Sequence, residues 1–215
     1  MHLQTLLLSL ALTLTIQTTA TTATPLPSLF ARDTALTESQ LITIAPTSNS
    51  CTDAPAEGEC ATAKQAAKFT SQSFDTYKVT SKAEQAAIIS LMAFESDDFK
   101  YNKNHFPGVA GQGTRNMQSP SFNKKYASSL PDLKDKLPAV SNSPADLLDL
   151  LRSDGATDFG SGAWFLTTQC SKEVRSALAD GSETGWQRFI SDCVGTSVTD
   201  ERKVYWERAV KAIGV

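Results

Sequence analysis

Between Ala86 and Phe94 eight of nine residues are apolar, Ser90 being the exception. A helix built on such a run has no polar face to offer water, so other elements must enclose it on every side. Its start is marked by Ser81-Lys82-Ala83-Glu84, the Ser-x-x-Glu pattern of a capping box, which predicts a helix from Ser81 to about Glu95. A chain of 215 residues, 40% hydrophobic, is long enough to wrap such a helix in a single domain. The formal net charge of −3 argues against binding nucleic acid through bulk charge.

The surrounding pattern is helical as well. Ala61 to Phe74 reads as an alanine-rich helix with Ala66 and Phe69 on one side. Ser143-Pro144-Ala145-Asp146 opens another, with proline in the first turn and an acidic residue near the positive end of the dipole. Ser171 and Ser182 are further N-cap candidates, and Gly181 and Gly195 are stop candidates. A last helix begins near Thr199-Asp200-Glu201 and carries the stripe Trp206, Ala209, Val210, Ile213. With no run of alternating strands, the expected fold class is mainly α. The long interruption from Ser96 to about Leu130, with Gly108, Gly111 and Gly113, is a loop of a length that usually carries function or its own packing.

Leu6 to Ile16 is a short apolar run followed by small residues at Ala20 and Ala23, the pattern of a signal peptide. It is too short to span a bilayer. Residues 1–20 are therefore expected to be a signal peptide, 21–50 a propeptide or flexible arm with a short strand at most at Leu41–Ile44, and 51–215 the domain. The protein is expected to be secreted, monomeric and free of membrane after cleavage. In an oxidising compartment Cys51, Cys60, Cys170 and Cys193 should form disulfides. Three pairings are open; the local one, Cys51 with Cys60 and Cys170 with Cys193, is favoured because Cys193 continues the apolar stripe Trp186, Phe189, Ile190.

His2 lies in the leader, which leaves His105 as the histidine of the mature chain. That excludes a two-histidine zinc or copper site, and no phosphate-binding Gly-x-x-x-x-Gly-Lys loop is present. His105, beside Phe106 and Pro107, reads as a loop residue with a local hydrogen bond, and a peptidase built on it lacks a nucleophile motif. Carboxylates are the remaining candidates. Glu95 extends the stripe Ile88, Leu91, Met92 and sits at the end of the buried helix, where desolvation would raise its pKa toward that of a general acid. The competing reading is a turn to solvent, or a pair with a base such as Arg115.

Phe94-Glu95-Ser96 with Phe99, followed by Gly108-Val109-Ala110-Gly111-Gln112-Gly113-Thr114-Arg115-Asn116-Met117-Gln118, resembles the signature of the lysozyme-like superfamily. Together with Gly162 to Cys170 it also looks like small secreted fungal proteins of muramidase type. The resemblance implies a lysozyme-like domain whose buried central helix ends in a catalytic Glu95, with Gln118 lining a sugar cleft. It implies a glycosidase cleaving β-1,4 bonds of peptidoglycan, with no metal and no organic cofactor. The insert from Lys100 to Pro107 departs from that pattern, and Ala163-Trp164-Phe165 stands where transglycosylases carry Ala-Tyr-Asn, so hydrolysis and cyclisation both stay open. The alternatives are a chitin-directed hydrolase and a non-catalytic secreted binding protein or effector of the same fold.

A second carboxylate would come from Asp97 or Asp98, which would otherwise stabilise the turn. Tyr101, Phe106 and Trp164 are candidates to stack on a sugar ring, against a default of core packing. Arg115 and Asn116 would bond saccharide groups or brace the loop. Lys124 and Lys125 read as solvated surface.

Overall fold

The computed structural model describes residues 35–215. The expected signal peptide and the first part of the expected arm lie outside the described residues. Helices dominate: α1 (Glu38–Ile44), α2 (Ala63–Tyr77), α3 (Lys82–Glu95), α4 (Pro120–Ser128), α5 (Leu137–Val140), α6 (Pro144–Arg152), α7 (Gly155–Gln169), α8 (Lys172–Leu178), α9 (Glu183–Arg188) and α10 (Asp200–Ile213). A π-helical turn, Phe189–Val194, continues α9. Among the described residues β-structure is confined to isolated bridges joining Gly113 to Lys103 and to Gln118. No described helix is long and apolar enough to cross a membrane.

Helix α3 is the axis, as its composition requires. Every residue from Ala83 to Ala93 is buried, with α10, α7 and α8 packed around it. Ser81 accepts a hydrogen bond from the Glu84 amide, which is one half of the capping box. The other half is missing, because the Glu84 carboxylate turns away to take Arg175 of α8 at 2.8 Å. The N-caps read at Ser143, Ser171, Ser182 and Thr199 all accept the expected amide.

Helix α7 serves two cores. Phe159, Ala163 and Leu166 join the main cluster around α3, while Trp164 and Phe165 face a smaller one formed with Tyr126, Leu147 and Leu151. Close approach of α7 to α3 depends on Gly162, where a Cβ would lie 3.0 Å from Ile88 Cγ2 and 3.1 Å from Met92 Sδ. On the far side of α3, Trp186 stacks on Trp206 with ring centroids 5.1 Å apart.

The compact body begins earlier than the sequence suggests. Thr37 and Gln40 form a full capping box on α1, and Leu41 and Ile44, a helical turn apart, are wholly buried against α2 and α10. The stretch expected as an arm or strand is thus a core helix over 38–44, missed because seven residues hold too few apolar repeats to show a period. The disulfides are Cys51–Cys60 and Cys170–Cys193, the local arrangement. The second ties the end of α7 to the π-helical turn.

Gly162→Val should lower the unfolding free energy by about 1–3 kcal/mol, the cost of overpacking a close helix crossing. Urea denaturation followed by circular dichroism measures it.

Candidate functional site

Helix α3 ends in an unusual turn. Asp97, Asp98 and Phe99 follow Glu95 with φ of 50°, 54° and 65°, all left-handed and none of them glycine. Such a conformation costs a residue with a Cβ about 1–2 kcal/mol, so local bonds must hold it. Ser96 Oγ donates to Met92 O at 2.6 Å and accepts from Phe99 N at 3.1 Å. Asp98, 3% exposed, takes the amide and the hydroxyl of Thr47 on one oxygen and the Tyr205 hydroxyl on the other, each at 2.8 Å. Burial and the adjoining Asp98 carboxylate push the Tyr205 phenol well up from its ordinary pKa. Thr114 and Met117, φ 60° and 47°, add left-handed residues on the facing segment.

Between these two strained segments lies a groove in two lobes, with Glu95, Gln112 and Met117 common to both. One lobe, of about 370 Å³, is walled by Leu91, Phe122, Phe165 and Val194 on its apolar side and by Asn116, Gln118 and Arg202 on its polar side. The other, of about 350 Å³, is lined by Tyr101, Lys103, Asn104, His105 and Phe106. Phe122 and Phe165 meet edge to face at 4.9 Å. Phe106 is 91% exposed, yet its loop is braced: Asn104 Oδ1 accepts the amides of Gly108 and Val109, and Asn104 Nδ2 donates to Phe106 O.

Glu95 does not sit in the apolar surroundings expected of a raised general acid. Its Oε1 accepts from Arg202 Nη2 at 2.7 Å, and its side chain keeps 21% exposure. The guanidinium lies 4.5 Å over the Phe94 ring and donates through Nη1 to Ser197 O. A pair with a base was foreseen, but with Arg115; Arg202 comes from α10, 107 positions away, where no sequence spacing announces it.

The other candidates divide. Gln118 and Asn116 line the first lobe, although both are engaged internally: Gln118 Nε2 donates to Asn123 Oδ1, and Asn116 Oδ1 accepts from Ser161 Oγ. Tyr101 and Phe106 line the second lobe. Asp97 is exposed and Asp98 is a bracing residue, so neither joins Glu95 in the groove. Trp164, 3% exposed, packs on Tyr126 in the smaller core. Phe122, Val194 and Arg202 line the groove without any sequence signal, whereas Leu91 lies on the stripe that leads to Glu95 and Gln112, Met117 and Phe165 fall in the segments singled out above.

Arg115 is structural. Its Nε donates to Asp158 Oδ2 at 2.7 Å, Nη1 to the carbonyls of Phe99 and Tyr101, and Nη2 to Glu59 O. Asn102 Nδ2 also reaches Asp158 Oδ2, and burial pushes the Asp158 carboxyl up against the pull of Arg115 and Asn102. Next to this knot, Glu59 takes His105 Nε2 at 2.9 Å and the Asn102 amide at 3.1 Å. His105 is the histidine among the described residues, the four cysteines are all in disulfides, and no three His, Cys, Asp or Glu side chains converge there.

No protein-family model matches the chain, and no solved structure does. Over 158 residues, 70% of its length, the chain is 46% identical to a protein of Fusarium oxysporum (strain Fo5176) named bifunctional dioxygenase (DOX)-epoxy alcohol synthase (EAS). The matched stretch is 12% of that protein, so the chain spans about an eighth of its relative. This likeness, to part of an enzyme, corrects the expectation of a lysozyme-like family member. The chemistry named for the relative is oxygenation and epoxy alcohol formation. A muramidase, a chitin-directed hydrolase and a non-catalytic effector of lysozyme-like fold are set aside with it, together with the general-acid role of Glu95 on a sugar.

Asp158→Ala should cost about 3–5 kcal/mol, because it strands the buried Arg115 charge. Asp97→Asn, on an exposed side chain, should stay within about 0.5 kcal/mol. Urea midpoints of the two variants measured side by side check both values.

Proposed function

We propose that this chain holds an oxygenated, mainly apolar molecule of the epoxy alcohol class in the groove around Glu95, as a ligand-holding part of the chemistry named for its relative. The observation that carries the reading is the setting of the Glu95–Arg202 pair. A polar couple able to accept and donate hydrogen bonds stands on the polar side of the first lobe, across from the apolar side made by Leu91, Phe122, Phe165 and Val194. A hydroxyl or ring oxygen entering an apolar cleft needs such a partner, since desolvating it alone costs several tenths to a few kcal/mol, roughly. The apolar remainder of the ligand would lie on the Phe122–Phe165 side and along Phe106. The two disulfides support a compartment outside the reducing cytosol, and secretion is part of the same proposal.

Titration calorimetry with a long-chain epoxy alcohol, kept below its micelle concentration, tests the reading. Saturable one-to-one binding is expected. Phe122→Ala should weaken it about tenfold, through loss of about 1.5 kcal/mol of apolar contact. No saturable binding, or equal binding by the variant, would overturn it.

A further inference from the structure

Resting on that ligand reading, we propose that Glu95 is a nucleophile that opens an epoxide held in the groove, giving a vicinal diol. The carboxylate is held by one oxygen and free at the other. Oε1 is fixed by Arg202, while Oε2 takes no hydrogen bond among the described residues and belongs to a side chain that opens on both lobes. An in-line displacement needs room on the far side of the attacked carbon for the departing oxygen, and room beside it for the substituents of both ring carbons. A carboxylate standing where two lobes meet provides both. Arg202, bonded to Oε1, keeps the carboxylate aimed. When ester formation consumes the carboxylate's charge, the guanidinium retains Ser197 O and the face of Phe94 as partners, while its buried Nε is unpaired throughout. The left-handed turn after Glu95, pinned through Ser96 and Asp98, limits how far the carboxylate can retreat.

The step balances without an oxidant or reductant. Oε2 bonds to one epoxide carbon as the bond from that carbon to the ring oxygen breaks, and the electron pair leaves on the ring oxygen. That oxygen takes a proton from a water molecule, which becomes hydroxide. Hydroxide adds to the ester carbonyl carbon of Glu95, and the bond from that carbon to Oε2 breaks. The product leaves as an alkoxide and takes the proton of the newly formed carboxylic acid, which restores the ionised side chain. One epoxide and one water become one diol. The reaction would therefore consume what an epoxy alcohol synthase makes.

The test is a single turnover in water enriched in heavy oxygen, with the full chain in excess over a long-chain epoxy alcohol. Diol and the Glu95 peptide are both read by mass spectrometry. The expected result is a diol of ordinary isotopic composition and one heavy oxygen in the Glu95 peptide. Glu95→Gln should bind the epoxide but form diol only at the uncatalysed rate, and Asp97→Asn should match the unaltered protein. Binding without diol formation would overturn the nucleophile while leaving the ligand reading intact. Heavy oxygen in the first-turnover diol with an unlabelled Glu95 would overturn the covalent step. Absence of binding would overturn the ligand reading beneath it.

Discussion

The groove exists because one buried cation ties its walls to the core. Arg115 spends its donors on Asp158, on the backbone of Phe99 and Tyr101, and on Glu59, so four separate stretches of chain meet at one guanidinium. Burying such a group is favourable only when its hydrogen-bonding capacity is filled, and here the filling is done mostly by main-chain carbonyls. Those carbonyls belong to the irregular turn after α3 and to the disulfide-closed loop, the two places that no helix ladder would otherwise restrain. Asp158 anchors the knot to α7 at the cost of an oxygen, Oδ1, that finds no partner. The site loop is therefore only as rigid as α7 is fixed, and α7 is fixed by its long packing against α2 and its close crossing with α3.

Much of the helical framework could be read from the chain alone. A run from Ala86 to Phe94 without a polar face can end only in a core, and hydroxyl caps at Ser81, Ser143, Ser171, Ser182 and Thr199 act on amides three residues away, a distance that sequence displays directly. The reading failed where the deciding partner was remote. Glu84 has the spacing to complete a capping box, yet Arg175, 91 residues on, offers it a full charge instead. Helix α1 is too short to show a period, and its contacts with α2 and α10, both remote in sequence, make it a helix worth forming.

The site shows the same division. Glu95 could be placed at the end of a buried helix and at the mouth of a loop, and it is there. Its environment could not be read, because the groups that define it come from α10 and from the Gln112–Met117 turn. Arg115 and Trp164 have the chemistry of ligand contacts, but each also has a structural reading, bracing the loop for Arg115 and core packing for Trp164, and their burial decides for the structural one. Asp97 and Asp98 are adjacent in sequence but face different fates, one in water and one braced by Thr47 and Tyr205, partners 51 and 107 positions away that no local pattern shows.

Helix α10 also has a bearing on the order in which the molecule can be made. It supplies Arg202 to Glu95 and Tyr205 to Asp98, each 107 positions earlier in the chain, as well as Trp206 to the nearer Trp186. Until it packs, the buried helix α3 has an open flank, and the acid at its tip has no counter-charge. Contacts this distant in sequence close late, because the entropy of the intervening chain must be lost before they can form. The groove therefore closes only when α10 has folded back onto α3, a step later than the pairing of helices that are neighbours in sequence.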